Sequence, residues 1–241
     1  MSILRWAEYS LLDGLSKCKD IASRIETIGS KACAITDHGN ISGAIDFSKE
    51  MRDSGLKPIL GCEFYFCDGE ITNQSVDNKK LSHQVIISKN QKGWSDLLKL
   101  VSLSNKKEHF YHRPRINLSL LEGFAKDGNL ISFSGHLGSI LANAIVTNDE
   151  LDPDWKNKGI FRAKQLQEIF GKENFFIEIQ LIDSKINKLA GIVGNALREI
   201  SKITGIPCVA TPDAHYCSRE DADDQRILLC LSLIHISEPT R

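Results

Sequence analysis

Short runs rich in β-branched and aromatic residues alternate, along most of this chain, with stretches whose apolar residues recur at helical spacing. Leu15, Cys18, Ala22, Ile25 and Ile28 mark a first helix closed by Gly29, and the run 32–35 follows as a strand. Ile41, Ala44, Ile45 and Met51 mark a second helix up to Gly55, after which KPILGCEFYF (57–66) has the composition of a strand. The pattern goes on with a strand near 84–87, a helix carrying Trp94, Leu97, Leu98 and Val101, a short helix at 118–124, a strand at 129–133 and a helix from Ser139. Beyond a polar linker, TNDELDPDWKNK, come a helix near 160–170, a strand at 175–179, a long helix carrying Ile186, Leu189, Val193, Leu197 and Ile200, and a strand at 208–210. With residues 3–7 as a first strand, about seven βα units result.

Repeated βα units require a mostly parallel sheet with helices outside it, either closed as a barrel or open and doubly wound. Periodicity does not choose between them. The chain has no GxGxxG and no Walker-type glycine loop, which argues against an open sheet built around a nucleotide. GEITNQSVDNKK (69–80) reads as a polar surface loop.

Side chains able to hold a metal fall at strand ends. Asp37 and His38 follow one strand, His136 another, and Asp213 and His215 a third. Active sites of βα barrels gather at that rim. Glu63 lies within the strand of GCEFYF and Asp13 precedes the first helix, so a mixed imidazole and carboxylate cluster suited to zinc, manganese or iron can assemble there. Taken singly, each of these residues is equally a turn or cap residue, since Asp is a favoured N-cap and Gly permits a tight turn. Three such strand ends in one chain make coincidence a weaker account. His83 fits less well, because it starts its strand instead of ending it. His109 and His112 lie in KKEHFYHRPR, where basic and aromatic residues interleave, a pattern that suits a phosphate backbone or a base as well as a plain solvated loop. SGHLGS (134–139) has the look of a strand-to-helix turn whose amides can hold an anionic oxygen, or of a plain turn. Cys62 reads as a packed thiol.

Thirty basic and thirty-one acidic residues leave a net charge of -1, so no overall electrostatic footprint for nucleic acid exists. Seven cysteines without a CxxC pair, several inside apolar runs such as PCVA and KACAI, read as buried thiols in a reducing compartment. The start lacks the pattern of a signal peptide, and the longest nearly apolar run (227–234) is too short to span a bilayer. A soluble cytoplasmic protein with no membrane contact is expected.

In order, EYSLLDG (8–14), ITDHGN (35–40), PILGCEFY (58–65), SHQVIISKN (82–90), YHRPRINLSLLE (111–122), SGHLGS, FFIEIQ (175–180) and VATPDAHYCSREDADDQRILLC (209–230) resemble the PHP (polymerase and histidinol phosphatase) domains that open C-family replicative DNA polymerases, of the bacterial DNA polymerase III alpha type. Stand-alone PHP phosphatases of the histidinol phosphatase kind share the TDHG and DAH elements but not the LLDG opening. The resemblance implies an α/β fold, a distorted seven-stranded (β/α)7 barrel similar to a TIM barrel, with up to three divalent metal ions. The ligands it implies are Asp13, His38, Glu63, His83, His136, Asp213 and His215, with Asp37 orienting a neighbouring ligand, and His38, Glu63, Asp213 and His215 as catalytic residues. It implies hydrolysis of a phosphoester, as 3'-5' exonuclease proofreading or pyrophosphate cleavage, or else a non-catalytic scaffold that docks a proofreading exonuclease; a free-standing phosphatase of the histidinol phosphatase type is the third alternative. DNA, that exonuclease and a sliding clamp are the implied partners, all through a longer polymerase whose synthetic site is not in this chain.

Two departures follow from the same likeness. The family carries an HxH pair just before EYSLLDG, where this chain has Leu4, Arg5 and Trp6, so at least one metal position is expected to be empty or weak. Either the site is degenerate and kept for structure, or the first residues come from a fragmentary gene. Residues 231–241, LSLIHISEPTR, resemble a translated sequencing adapter, so the domain is expected to span 1–230, and the tail, His235 included, is excluded from site reasoning.

Overall fold

The computed structural model describes residues 2–3, 7–10, 13–182, 185, 187–212 and 214–237, with backbone alone at 2, 3, 77 and 231–237. Its first half runs β1 (Ser2–Ile3), α1 (Cys18–Thr27), β2 (Ala32–Ile35), α2 (Ala44–Asp53), β3 (Lys57–Phe66), β4 (Ser82–Ser88), α3 (Gln91–Ser104), β5 (Phe110–Tyr111), β6 (Arg113–Ile116) and α4 (Leu118–Ala125). The second half continues with β7 (Leu130–Phe133), α5 (Ile140–Ile145), β8 (Val146–Thr147), β9 (Glu150–Leu151), α6 (Trp155–Phe170), β10 (Phe175–Gln180), α7 (Lys188–Thr204), β11 (Cys208–Thr211) and α8 (Ala222–Ser237).

Four of the helices begin where short polar side chains satisfy free backbone amides. Asn90 caps α3 by accepting from Gly93, Asn117 caps α4 by accepting from Leu120, Ser139 caps α5 through Ala142, and Asn187 caps α7 through Ala190. In α1, Cys18, Ile21, Ala22 and Ile25 form the buried stripe that the spacing predicts.

The main sheet follows the order β1-β2-β3-β4-β7-β10-β11, a path of seven strands, with β6 added beside the end of β3 and β5 paired to β6. Among the described residues no pairing joins β11 back to β1, so the curled α/β sheet is a distorted barrel and not a regular one. Along that seven-strand path the strands are parallel with one exception. β4 runs antiparallel to both neighbours, β3 and β7. The physical reason is its connection: between β3 and β4 the chain has only a short 3-10 turn, Val76–Asn78, and no crossover helix, so β4 returns beside β3 in the reverse direction. The expectation of simple repeated βα units is corrected at this point.

Because side chains alternate along a strand, each strand feeds two layers. Cys62, Phe64, Ile86, Phe175, Ile177 and Ile179 face the outer helices α3 to α7, while Cys33 and Ile35 face α1 and α2. Val85, Ile87, Phe133, Ile59, Ile131, Phe176 and Val209 fill the inner face. Further along the same inner positions, apolar residues give way to Glu63, Tyr65, His83, Glu178 and Thr211. The interior is therefore apolar at one end and polar at the other, and the polar end gathers metal-capable side chains.

Two other expectations change. TNDELDPDWKNK is not a linker: its first half closes the β8–β9 hairpin through Asn148 and Asp149, both at positive φ, and its second half begins α6 at Trp155. Asp152 pins the junction, accepting from Thr147 Oγ1, Lys158 Nζ and the Asp154 amide. Cys208 is exposed rather than buried, because β11 pairs only with β10 among the described residues and its outer face stays uncovered. α8 runs on to Ser237, into the stretch expected to be foreign, and residues 238–241 lie outside the described residues. No helix is long and apolar enough to cross a membrane among the described residues.

Candidate metal centre

Glu63 is the centre of the polar end. It sits two residues before Tyr65 on β3, and its side chain is wholly buried. The backbone after β2 is bound to it: Glu63 donates its amide to Asp37 O at 3.0 Å, and Gly39 donates to Glu63 O at 2.9 Å, which places His38 beside it. Gly39 has φ +62°, and a Cβ there would lie 2.7 Å from Pro114, so the turn that presents His38 requires glycine.

His83 opens β4, and reversal of that strand carries its first residues to the rim where β2, β3 and β7 end. Its Nδ1 lies 2.9 Å from Glu63 Oε1. Burial holds the His83 imidazole below its usual range, against the raising effect of the Glu63 carboxylate, while His136 and His38 lower it further. A neutral ring donating from Nδ1 to a carboxylate keeps its Nε2 lone pair for an ion.

His136 reaches Glu63 from the other side, with Nε2 at 2.9 Å from the same Oε1. The Gly138 amide donates to its Nδ1 at 2.8 Å, which leaves the ring proton on Nε2. In this conformation His136 Nε2 is buried close to the carboxylate without making a hydrogen bond. The SGHLGS amides are likewise committed, since Gly138 donates to His136 Nδ1 and Ser139 to His136 O, so these two do not form an anion cradle.

Asp13 closes the other flank. His38 Nε2 lies 3.0 Å from Asp13 Oδ2, and His215 Nε2 lies 3.8 Å from Asp13 Oδ1. The turn carrying Asp13 is tied down at several points: Asp13 and Gly14 both donate to Ser10 O, Leu15 donates to His215 O, and Gln225 Nε2 donates to Asp13 O. A Cβ at Gly14 would lie 2.0 Å from Ala7 O, so the loop closes only around a glycine. Asp37 acts on this loop, accepting from the Ala7 amide at 2.9 Å and from Ser10 Oγ at 2.6 Å. Burial pushes its carboxyl up to about 6 in spite of those two bonds.

The fold thus brings together Asp13, His38, Glu63, His83, His136 and His215 through carboxylate–imidazole contacts. Donor atoms of His38, Glu63 and His83 all lie within 4.8 Å of one another, a spacing that one ion can span. Asp213 lies outside the described residues, as do Leu4, Arg5 and Trp6. His109 points elsewhere, with Nδ1 at 2.8 Å from Leu103 O.

Two residues at this end were not singled out from the sequence. Tyr65 stacks on His38, with centroids 5.5 Å apart, and meets His83 edge-on. Glu178, buried on β10, accepts from the Thr211 hydroxyl. Their signal was strand alternation: Tyr65 is two residues from Glu63, and Glu178 is the lone acid between apolar residues of FFIEIQ.

The chain is 35% identical over 233 residues to the DNA polymerase III subunit alpha of Helicobacter pylori and 37% identical over 227 residues to that of Borreliella burgdorferi. These alignments cover 94% and 93% of this chain but only 18% and 19% of the relatives, so the chain spans less than a fifth of their length. Among solved structures, a candidate metal-dependent phosphoesterase from Bifidobacterium adolescentis superposes with a TM-score of 0.52 at 12% identity, covering 95% of both chains. An amidohydrolase from Chromobacterium violaceum, with bound sulfate and no metal, gives 0.52 at 10% identity over 94% of this chain and 96% of its own. At such identities the likeness is one of fold. Residues 7–181, which include Asp13, His38, Glu63, His83 and His136, match the PHP domain family, and the chain belongs to it.

Proposed function

We propose that this chain is the opening domain of a DNA polymerase III alpha-type replicase and that its polar rim is a metal-dependent phosphodiesterase centre. The observation that carries this is the convergence of His38, Glu63 and His83 donor atoms within 4.8 Å. The donor set fits a divalent zinc, manganese or iron ion: one buried carboxylate and two imidazoles, of which His83 is held neutral by burial. Asp13, His136, Asp213 and His215 complete the ligand set for up to three ions, and His38, Glu63, Asp213 and His215 are the residues at the reacting phosphate. Such an ion supplies positive charge that stabilises phosphoryl oxygens and eases deprotonation of the attacking water. The chain's own residues set the geometry. Glu63 holds His83, Asp13 holds His38, and Asp37 anchors the loop that presents Asp13.

Residues 1–230 form the domain in this reading and 231–241 do not belong to it. DNA, a proofreading exonuclease and a sliding clamp meet it through the parent polymerase in the cytoplasm. A second reading, a scaffold without catalysis, is favoured by Leu4 and Trp6, neither of which can bind a metal. Metal analysis of the purified chain, with 3'-5' digestion of a labelled oligonucleotide, separates the two. Stoichiometric metal and cutting that His136→Ala removes support the hydrolase. Absence of both leaves the scaffold. Leu4→His with Trp6→His then adds one ion per chain if a ligand pair is missing at that edge.

A further inference from the structure

The β5–β6 hairpin has no part in the reading above, yet it is fastened to the metal-capable rim. Tyr111 lies directly opposite Arg113, with His112 alone between them at φ +59°. β6 then runs beside the end of β3, Tyr65 against Arg115, and Asn105 Nδ2 donates to Gly39 O at 3.4 Å on the turn that carries His38. Here the Arg113 guanidinium lies 5.6 Å from the centre of the Tyr65 ring, which itself stacks on His38. Arg113 is exposed, and no salt bridge among the described residues uses it. Between Lys106 and Arg115 the segment holds four Lys or Arg side chains and one carboxylate. At its tip the exposed His112 ring packs on Tyr111 at 4.4 Å.

A guanidinium resting on an aromatic face, with no carboxylate to neutralise it, is preorganised for a phosphate, which it can take with two parallel N–H bonds. An exposed ring beside it offers a face to an unpaired base. We propose that Arg113 grips a backbone phosphate of a single nucleic-acid strand at the mouth of the cluster while the His112 ring stacks on an adjacent base. This deepens the phosphodiesterase reading and rests on it. The cluster determines what is cut, and the hairpin determines which strand reaches it, because a base held in a duplex cannot present its face to His112.

The test is binding of a fluorescein-labelled oligothymidylate to the full chain by anisotropy, with a chelator present so that nothing is cut, across a series of salt concentrations. Arg113→Ala is expected to weaken binding about fivefold to tenfold and to reduce the slope of log affinity against log salt by about 0.7, the loss of one single-strand phosphate contact. Arg113→Lys keeps the slope. His112→Gly, which removes the ring and suits the positive φ, weakens binding several-fold without moving the slope. All three variants melt with the parent. Wild-type binding that is undetectable, or that Arg113→Ala leaves unchanged in affinity and slope, overturns the proposal. Arg113-dependent binding in a chain that takes up no metal keeps the phosphate grip and removes the hydrolase instead.

Discussion

His83 Nδ1 lies 2.9 Å from Glu63 Oε1, across a pair of strands that run in opposite directions. In a regular βα barrel only strand C-termini reach the catalytic rim. Reversing one strand lets a residue at its beginning join those at the ends of its neighbours, and Glu63 thereby gains a second imidazole from within twenty residues of sequence.

Glu63→Gln is expected to lower zinc or manganese affinity more than about 100-fold, since it removes a ligand as well as the group that orients His83. An ion bound only by the folded chain adds about 2.7 kcal/mol of stability at a hundred times its Kd. Thermal unfolding with and without metal reads this directly: the parent gains and the variant does not. Equal gains in both would remove Glu63 from the site.

Two glycines should respond with opposite signs. At Gly14 an added Cβ meets Ala7 O at 2.0 Å, so Gly14→Ala must displace the loop that holds Asp13, at a cost of about 2 kcal/mol or more. Gly123 lies exposed within α4 with nothing near its missing Cβ, and Gly123→Ala should stabilise by about 0.5–1 kcal/mol. Urea unfolding of the two variants settles both signs.

Arg115 is wholly buried and spends its guanidinium on backbone carbonyls: Ile71 at 2.5 Å, Asn73 at 3.0 Å and Asn78 at 3.4 Å from the nitrogens at its end, and His109 at 3.0 Å from Nε. Arg115→Met leaves those oxygens without their donor, at a cost of about 3 kcal/mol. The segment 69–80 should then be cut by trypsin, at Lys79 or Lys80, far faster than in the parent. Equal rates of cleavage would mean that the loop holds itself.

Apart from the half-buried Cys217, the native thiols should divide into two classes under iodoacetamide. Burial pushes Cys18 up to about 12 and also raises Cys67, and Cys33 and Cys62 are wholly buried. Cys208 and Cys230 are exposed. Mass spectrometry after brief alkylation near pH 8 is expected to find label on Cys208 and Cys230 and little on the four buried thiols, since the thiolate is the reacting form.

Strand and helix positions were largely legible because each buried face repeats at its own period, as in Cys18, Ile21, Ala22 and Ile25 of α1. Strand direction was not. Nothing in SHQVIIS says that β4 runs backward, because alternation reads the same in both directions, and only the missing crossover helix between 66 and 82 hinted at it. The rim positions of Asp13, His38, Glu63 and His215 were legible from strand ends and local motifs. Their pairings were not, since whether His136 offers Glu63 a lone pair or an N–H depends on the Gly138 amide, a detail of backbone placement. The partners of Asp37 were not legible for a similar reason: Ala7 and Ser10 lie about thirty positions earlier.

The two flanks of the cluster differ in how far the chain must travel to make them. Glu63 and His83 sit twenty positions apart on neighbouring strands, whereas Asp13 is clasped by Gln225 from 212 positions away. Closing a long loop costs more conformational entropy than closing a short one, so the Glu63 side forms early from local pairing and the Asp13 side waits for the ends of the domain to meet. A nascent chain can therefore pair Glu63 with His83 well before α8 leaves the ribosome, and the arrival of α8 adds the Gln225 clasp on Asp13.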